Sequence, residues 1–170
     1  MKRIDYRGYL KRLLMKFSSE QSDTLKVIGR CEWCHLKEFN IGWINARIAT
    51  GSRTSVLYVS GIRMYHESGN MRVEFVVGRD EEHRNAGILC HATVVDQKEF
   101  KGPDGSRERK WIIRSPVSLG ESTWTIPIAL SSQQSADIRI TLGRNALQGR
   151  FIVDASKSYL MGEGKSKDLP

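Results

Sequence analysis

From residue 25 onward the chain carries short apolar runs, several alternating with polar residues, and Gly, Pro, Asn and Asp interrupt them at short intervals. This period-2 texture predicts strands over Leu25–Ile28, Gly42–Ile48, Ser55–Val59, Met71–Val77, Ile88–Val95, Lys110–Ser115, Trp124–Ala129 and Asp137–Leu142. Gly61, Ser68-Gly69-Asn70, Gly102-Pro103-Asp104-Gly105 and Leu119-Gly120-Glu121 supply turns. Such spacing predicts an all-β domain, closed or sandwiched. A single helical turn is expected at Asn145–Gln148, stopped by Gly149.

The first 24 residues have another period. Tyr6, Tyr9, Leu10, Leu13, Leu14 and Phe17 recur at helical spacing, with Arg7, Lys11, Arg12 and Lys16 largely between them, which predicts an amphipathic helix with a basic face. Its apolar stripe is read as packing on the domain or a dimer mate; docking on an anionic surface is the competing use. Residues 18–23 are small and polar, a linker. The expected organisation is therefore helix and linker over 1–24, a β domain over 25–162, and a Gly/Ser/Lys-rich tail over 163–170.

With 170 residues and 39% apolar content the chain can bury one core. No apolar run approaches a membrane span of roughly 18 residues. Three cysteines, an odd number, and an N-terminus without an export signal lead to the expectation of a soluble protein in a reducing cytosol. A net charge of +8 favours an anionic partner.

Candidate chemistry centres on Ile48-Ala49-Thr50-Gly51-Ser52, which reads like the Asp-Thr-Gly-Ser/Ala loop of an aspartic peptidase with alanine in the aspartate's place. Ile140-Thr141-Leu142-Gly143-Arg144-Asn145-Ala146-Leu147 follows at the spacing of a single retropepsin-type lobe. In such enzymes two carboxylates share a proton; one activates water and the other protonates the scissile carbonyl. One lobe supplies one carboxylate, so a chain with one loop needs a two-fold dimer to complete a site. Thr50 fits a hydroxyl lock between the two loops, and Gly51 fits close backbone approach.

Residues 46–57, the central Cys90–Asp96 stretch, and Ile140–Leu147 continuing to Asp154 resemble the bacterial retropepsin-like family often labelled "ATP-dependent zinc protease", which accompanies the glutamate ligase of the Rim ribosomal-modification system. The similarity spans roughly Val27 to Gly162. It implies a homodimeric β-barrel aspartic peptidase that trims oligoglutamate tails on a small-subunit ribosomal protein, with possible ribosome association and no cofactor or metal. It makes Ala49, Thr50, Gly51 and Ser52 the active-site loop and Leu142, Gly143, Arg144 and Asn145 the wall behind it.

By composition alone the hairpin formed by Gln97–Lys101 and Arg107–Trp111 reads as a solvated charged edge. The resemblance instead makes Lys101–Ser106 a flap over substrate, including Gly102, Asp104 and Gly105. Arg53, Arg107 and Arg109 become candidates for carboxylate recognition, because a guanidinium pairs bidentately with a carboxylate; solvated arginine is the alternative.

Ala49 departs from the family pattern at the catalytic aspartate, and a methyl group can neither activate water nor share a proton. Asp80, Asp96 and Asp137 do not stand in an Asp-Thr/Ser-Gly frame. The chain is therefore expected to be inactive. The intact pattern around Ala49 favours an introduced Asp→Ala change, and a natural pseudoenzyme that binds acidic peptides is the other history.

Three further constellations compete. Cys31-Glu32-Trp33-Cys34-His35 spells a haem-attachment pattern, which belongs to exported proteins. Cys31, Cys34 and Cys90 with His35 or His91 offer zinc-type donors, but free buried cysteines are the leading expectation, and His66 and His83 read as loop histidines. Arg107, Arg109, Lys110 and Trp111 mix cations with an aromatic ring, as a non-catalytic module for RNA, the ribosome or acidic peptides does.

Overall fold

Alternation of inward apolar and outward polar side chains dominates the computed structural model, which describes residues 25–78, 87–102, 105–132 and 138–162. The expected helix over Tyr6–Phe17, the tail 163–170, and Asp80, His83, Pro103, Asp104 and Asp137 lie outside the described residues. In chain order the strands are β1 Lys26–Gly29, β2 Cys31–Leu36, β3 Ile41–Ala49, β4 Ser55–Tyr58, β5 Ser60–Glu67 and β6 Asn70–Val77. There follow β7 Ile88–Lys101, β8 Arg107–Leu119, β9 Ser122–Ser131, β10 Ile140–Gly143, the helical turn α1 Arg144–Leu147, and β11 Phe151–Asp154.

Six of these strands close a barrel in the order β2-β3-β10-β4-β9-β8, with β8 returning to β2 through Cys34↔Leu119 and His35↔Ser118. Closure leaves the ring without a free edge. Its interior holds Ala46, Leu57, Ile113, Ile128 and Ile140, all buried, and paired residues on neighbouring strands point the same way. The all-β barrel expected from the sequence is thus what forms.

β7 serves two sheets. Its first half pairs with β6 and its second half with β8, and a register shift between Val94 and Asp96 marks the crossing. β5, β6 and β7 form an antiparallel wing beside the barrel, and Phe75 of β6 meets Phe39 edge-on at 5.5 Å beneath it. The far end of β7 and the start of β8 continue as a paired arm, Asp96↔Ile112 through Lys101↔Arg107, in agreement with the expected hairpin.

Three strands were absent from the sequence pattern. In β2, Glu32, Cys34 and Leu36 point inward, so a carboxylate sits at a position the binary pattern reserves for an apolar group. β5 is mostly exposed, with Arg63, His66 and Glu67 among its eight residues, and Gly61, expected to make a turn, lies within it at φ 60° in an irregularity between Ser60 and Arg63. β11 is half exposed and pairs only with β1, in parallel. The helical turn starts one residue earlier than expected, at Arg144.

Glu32 explains how the outer pair is fixed to the barrel. Its carboxylate is fully buried and accepts the N–H groups of Gly29 at 2.6 Å, Leu160 at 3.0 Å and Met161 at 3.1 Å. Buried carboxylates persist only when hydrogen-bonded in this way. Glu32→Ala strands three amides and is expected to lower stability by roughly 3 kcal/mol, since each orphaned buried donor costs about 1–3 kcal/mol and water restores part of it. Urea denaturation with an unchanged m value measures the loss.

Candidate active site

β3 ends at Ala49 and β4 begins at Ser55, and β10 runs between them, parallel to β3 and antiparallel to β4. The connecting loop is turned by the Ser52 N–H, which donates to the Ala49 carbonyl at 3.1 Å. Ala49 is half-buried, and Thr50, Gly51, Ser52 and Arg53 are exposed. Ala49 pairs with Gly143, so the residue at 49 faces no side chain from that cross-strand partner.

The corner where β10 becomes α1 grips this loop. Gly143 N–H donates to Ser55 Oγ at 3.1 Å, Arg144 N–H to the Ser52 carbonyl at 2.8 Å and Asn145 N–H to the Arg53 carbonyl at 3.1 Å. The Arg144 guanidinium adds bonds to the carbonyls of Thr50 at 2.9 Å and Gly51 at 3.0 Å. These are charge-assisted hydrogen bonds of a planar donor to adjacent peptide oxygens. Gly143 is required by contact: a Cβ there would lie 2.7 Å from the Thr54 carbonyl carbon and 2.8 Å from its oxygen. Leu142, one step back, is buried in the barrel. The structure therefore joins 49–53 and 142–145 into one unit.

The hairpin residues stand apart on the β7–β8 arm. Gly102 N–H donates to the Ser106 carbonyl at 2.8 Å and Gly105 N–H to the Gly102 carbonyl at 3.1 Å, which turns the tip. Lys101, Arg107 and Arg109 are exposed, and Arg107 pairs with Glu99 at 2.9 Å. Arg107 therefore already has a carboxylate partner within the arm. Lys110 does not share the surface of Arg107, Arg109 and Trp111, because alternation turns it to the opposite face.

Lys110, grouped by the sequence pattern with those exposed cations, is instead a buried charge. It is buried, its ammonium donates to Ser131 Oγ at 2.7 Å, pairs with Glu108 at 3.0 Å, and sits 5.7 Å from the Phe100 ring centroid. Its place two residues before Ile112, on the same covered face of β8, was the available signal.

The cysteines are free. Strand geometry separates Cys31 from Cys34, since a three-residue step in β2 puts them on opposite faces, and so denies the Cys-x-x-Cys pair a common ligand. Among the described residues no group of three His, Cys, Asp or Glu side chains is placed to hold a metal. Burial pushes the Cys34 thiol up to about 12 and the Cys90 thiol up to about 11 from an ordinary 9.0. A cavity of about 180 Å³ lined by Lys26, Trp124 and Arg150 shares no residue with the loop.

Two outcomes are expected here. Gly143→Ala should displace the loop and cost about 1–3 kcal/mol, as overpacking against backbone does, read by thermal unfolding and by faster hydrogen exchange at Gly51 and Ser52. A thiol reagent at pH 8 should modify Cys31 and spare Cys34 and Cys90 until denaturant is added. Because the unfolded thiols ionise above about pH 9 while the folded ones stay protonated, their contribution to stability is complete below pH 9 and is lost as pH rises toward 11–12.

Comparison with known proteins agrees with this geometry. Residues 27–163 match the family model described as RimB-like, retropepsin-like aspartic endopeptidase RimB. Relatives include proteins named probable alpha-L-glutamate ligase from Shewanella pealeana, 32% identical over 142 residues, and from Desulfotalea psychrophila, 31% identical over 144 residues. These alignments cover 84% and 85% of this chain but 31% of each relative, so the chain spans about a third of their length. A solved structure of a protein of unknown function from Legionella pneumophila shares the fold at TM-score 0.65 and 19% identity, over 80% of this chain and 98% of that one. A closed barrel whose β10–α1 corner holds the loop after β3, in a chain matched from Val27 through Glu163, belongs to the RimB-like family of retropepsin-like aspartic endopeptidases.

Proposed function

We propose that this chain is one half of a two-fold aspartic peptidase acting on acidic, oligoglutamate-type tails, and that Ala49 at the aspartate position leaves it catalytically silent. The observation that carries the reading is the grip of Gly143–Asn145 on residues 50–55, which holds the loop rigid with position 49 at its start. A carboxylate there would meet its two-fold mate across the loops, with Thr50 as the lock between them. One carboxylate would take a proton from water while the other, protonated, would donate to the scissile carbonyl. The alanine removes both roles at once.

Several observations support the finer points. Leu25, Val27 and Ile152 are exposed apolar residues on or beside the β1–β11 pair, with Val27 and Ile152 in register, a surface suited to an isologous contact. The relatives named as glutamate ligases tie this fold to glutamate addition, and a peptidase of glutamate tails is its chemical counterpart. The net charge of +8 and the exposed Arg53 and Arg109 would draw an anionic chain to the loop and the arm, which then serves as flap. The same charge, with Ala49 in place, favours a second reading: a pseudoenzyme that binds acidic peptides, RNA or the ribosome without cutting them.

The deciding experiment compares this chain with its Ala49→Asp form on a glutamate-tailed peptide across roughly pH 4–8, where a carboxylate dyad changes protonation. Cleavage only by the Asp form, with two protomers per particle in sedimentation, is the expected result. Tight peptide binding by both forms with cleavage by neither would overturn the peptidase reading in favour of the binding module.

A further inference from the structure

Sheet register connects the loop to a buried cation. Ala49 pairs with Gly143; two residues back on the same face of β10, Thr141 pairs with Val56 of β4. Tyr58, two along from Val56, pairs with Ser131 of β9 and reaches the Thr141 hydroxyl at 3.5 Å. Ser131 receives the Lys110 ammonium at 2.7 Å. Residues paired in a ladder share a face, so Ala49, Thr141, Tyr58, Ser131 and Lys110 all lie on the outer side of the barrel wall. The row crosses four strand spacings of about 4.8 Å and shifts about four residues of roughly 3.3 Å along the strands, roughly 23 Å in all, which about seven residues of extended peptide cover.

Lys110 is anomalous on that wall. Among the described residues it is the buried lysine or arginine, and only 9% of its side chain is exposed. Such a cation is costly to bury unless a carboxylate faces it. The carboxylate that does so, Glu108, is 40% exposed and belongs to the same strand, so it can swing to water when another anion takes its place. The Phe100 ring and the Ser131 hydroxyl beside the ammonium do not neutralise it, and its cross-strand partner is another lysine, Lys98.

We infer that Lys110 is a specificity-determining residue: its ammonium binds a glutamate side-chain carboxylate of the substrate several residues from the cleaved bond, and Glu108 occupies that position in the free protein. This rests on the acidic-tail reading above and names the residue that reads the charge. The carboxylate exchange forms and breaks no covalent bond and moves no proton.

Fluorescently labelled hexaglutamate titrated into the chain as it stands, which does not cleave it, tests the exchange directly. Lys110→Met should weaken binding by about tenfold or more, the scale of one charge-assisted hydrogen bond. Lys110→Arg, which keeps the charge, should stay within about threefold of the parent by the same scale. Glu108→Gln should tighten binding by about threefold, because the resident carboxylate no longer competes. A purely structural strut gives the opposite sign, with Glu108→Gln weakening binding alongside Lys110→Met, and that pattern overturns the inference. Parent binding that Lys110→Met leaves unchanged overturns it while the acidic-tail reading stands. A parent that does not bind hexaglutamate removes both. Circular dichroism and melting temperature confirm that each variant is folded.

Discussion

The peptide N–H groups of Gly143, Arg144 and Asn145, with the Arg144 guanidinium, are all committed to the loop that follows β3 and to Ser55, where β4 begins. That commitment is possible because β10 threads between the two strands the loop connects, and because Gly143 has no side chain to hold the backbones apart. An exposed loop of small residues is ordinarily mobile. Here its carbonyls are fixed from behind by a corner whose buried Leu142, Ala146 and Leu147 anchor it in the barrel. Precision at position 49 is therefore a property of the barrel rather than of the loop.

Much of this was legible in the sequence, for identifiable reasons. Strands with one clean apolar face, such as β4, β6 and β9, stood out because the period-2 rule describes them. The two loop motifs stood out because their small and hydroxyl-bearing residues suit a tight loop and close backbone approach. β2 did not, because its inward Glu32 is satisfied by amides from β1's end and from residues 160 and 161, partners more than a hundred positions away in the latter case. β5 did not, because a largely exposed strand opened by Ser60 and Gly61 differs from a loop only through its pairing with β6. Lys110 was hidden for a related reason: a run of basic residues reads as one surface until alternation divides it between two.

Charge on this domain consequently falls into two kinds. Arg107 with Glu99 and Arg63 with Glu74 are exposed pairs, each in equilibrium with water and worth little to stability. Lys110 and Glu32 are buried, one positive near the arm and one negative near the chain's outer pair, and each dictates its surroundings. The net charge of +8 describes long-range attraction. The buried groups set the local packing and hydrogen bonding around them.

The position of Glu32 has a bearing on how this fold can be built into larger proteins. By holding Gly29 with one oxygen and Leu160 and Met161 with both, it ties the entry of the barrel to its exit, and β1 and β11 lie side by side. A unit whose two ends emerge together at one point can be spliced into, or appended to, another polypeptide without opening its own ring of strands. Modularity of that sort is set by a single carboxylate.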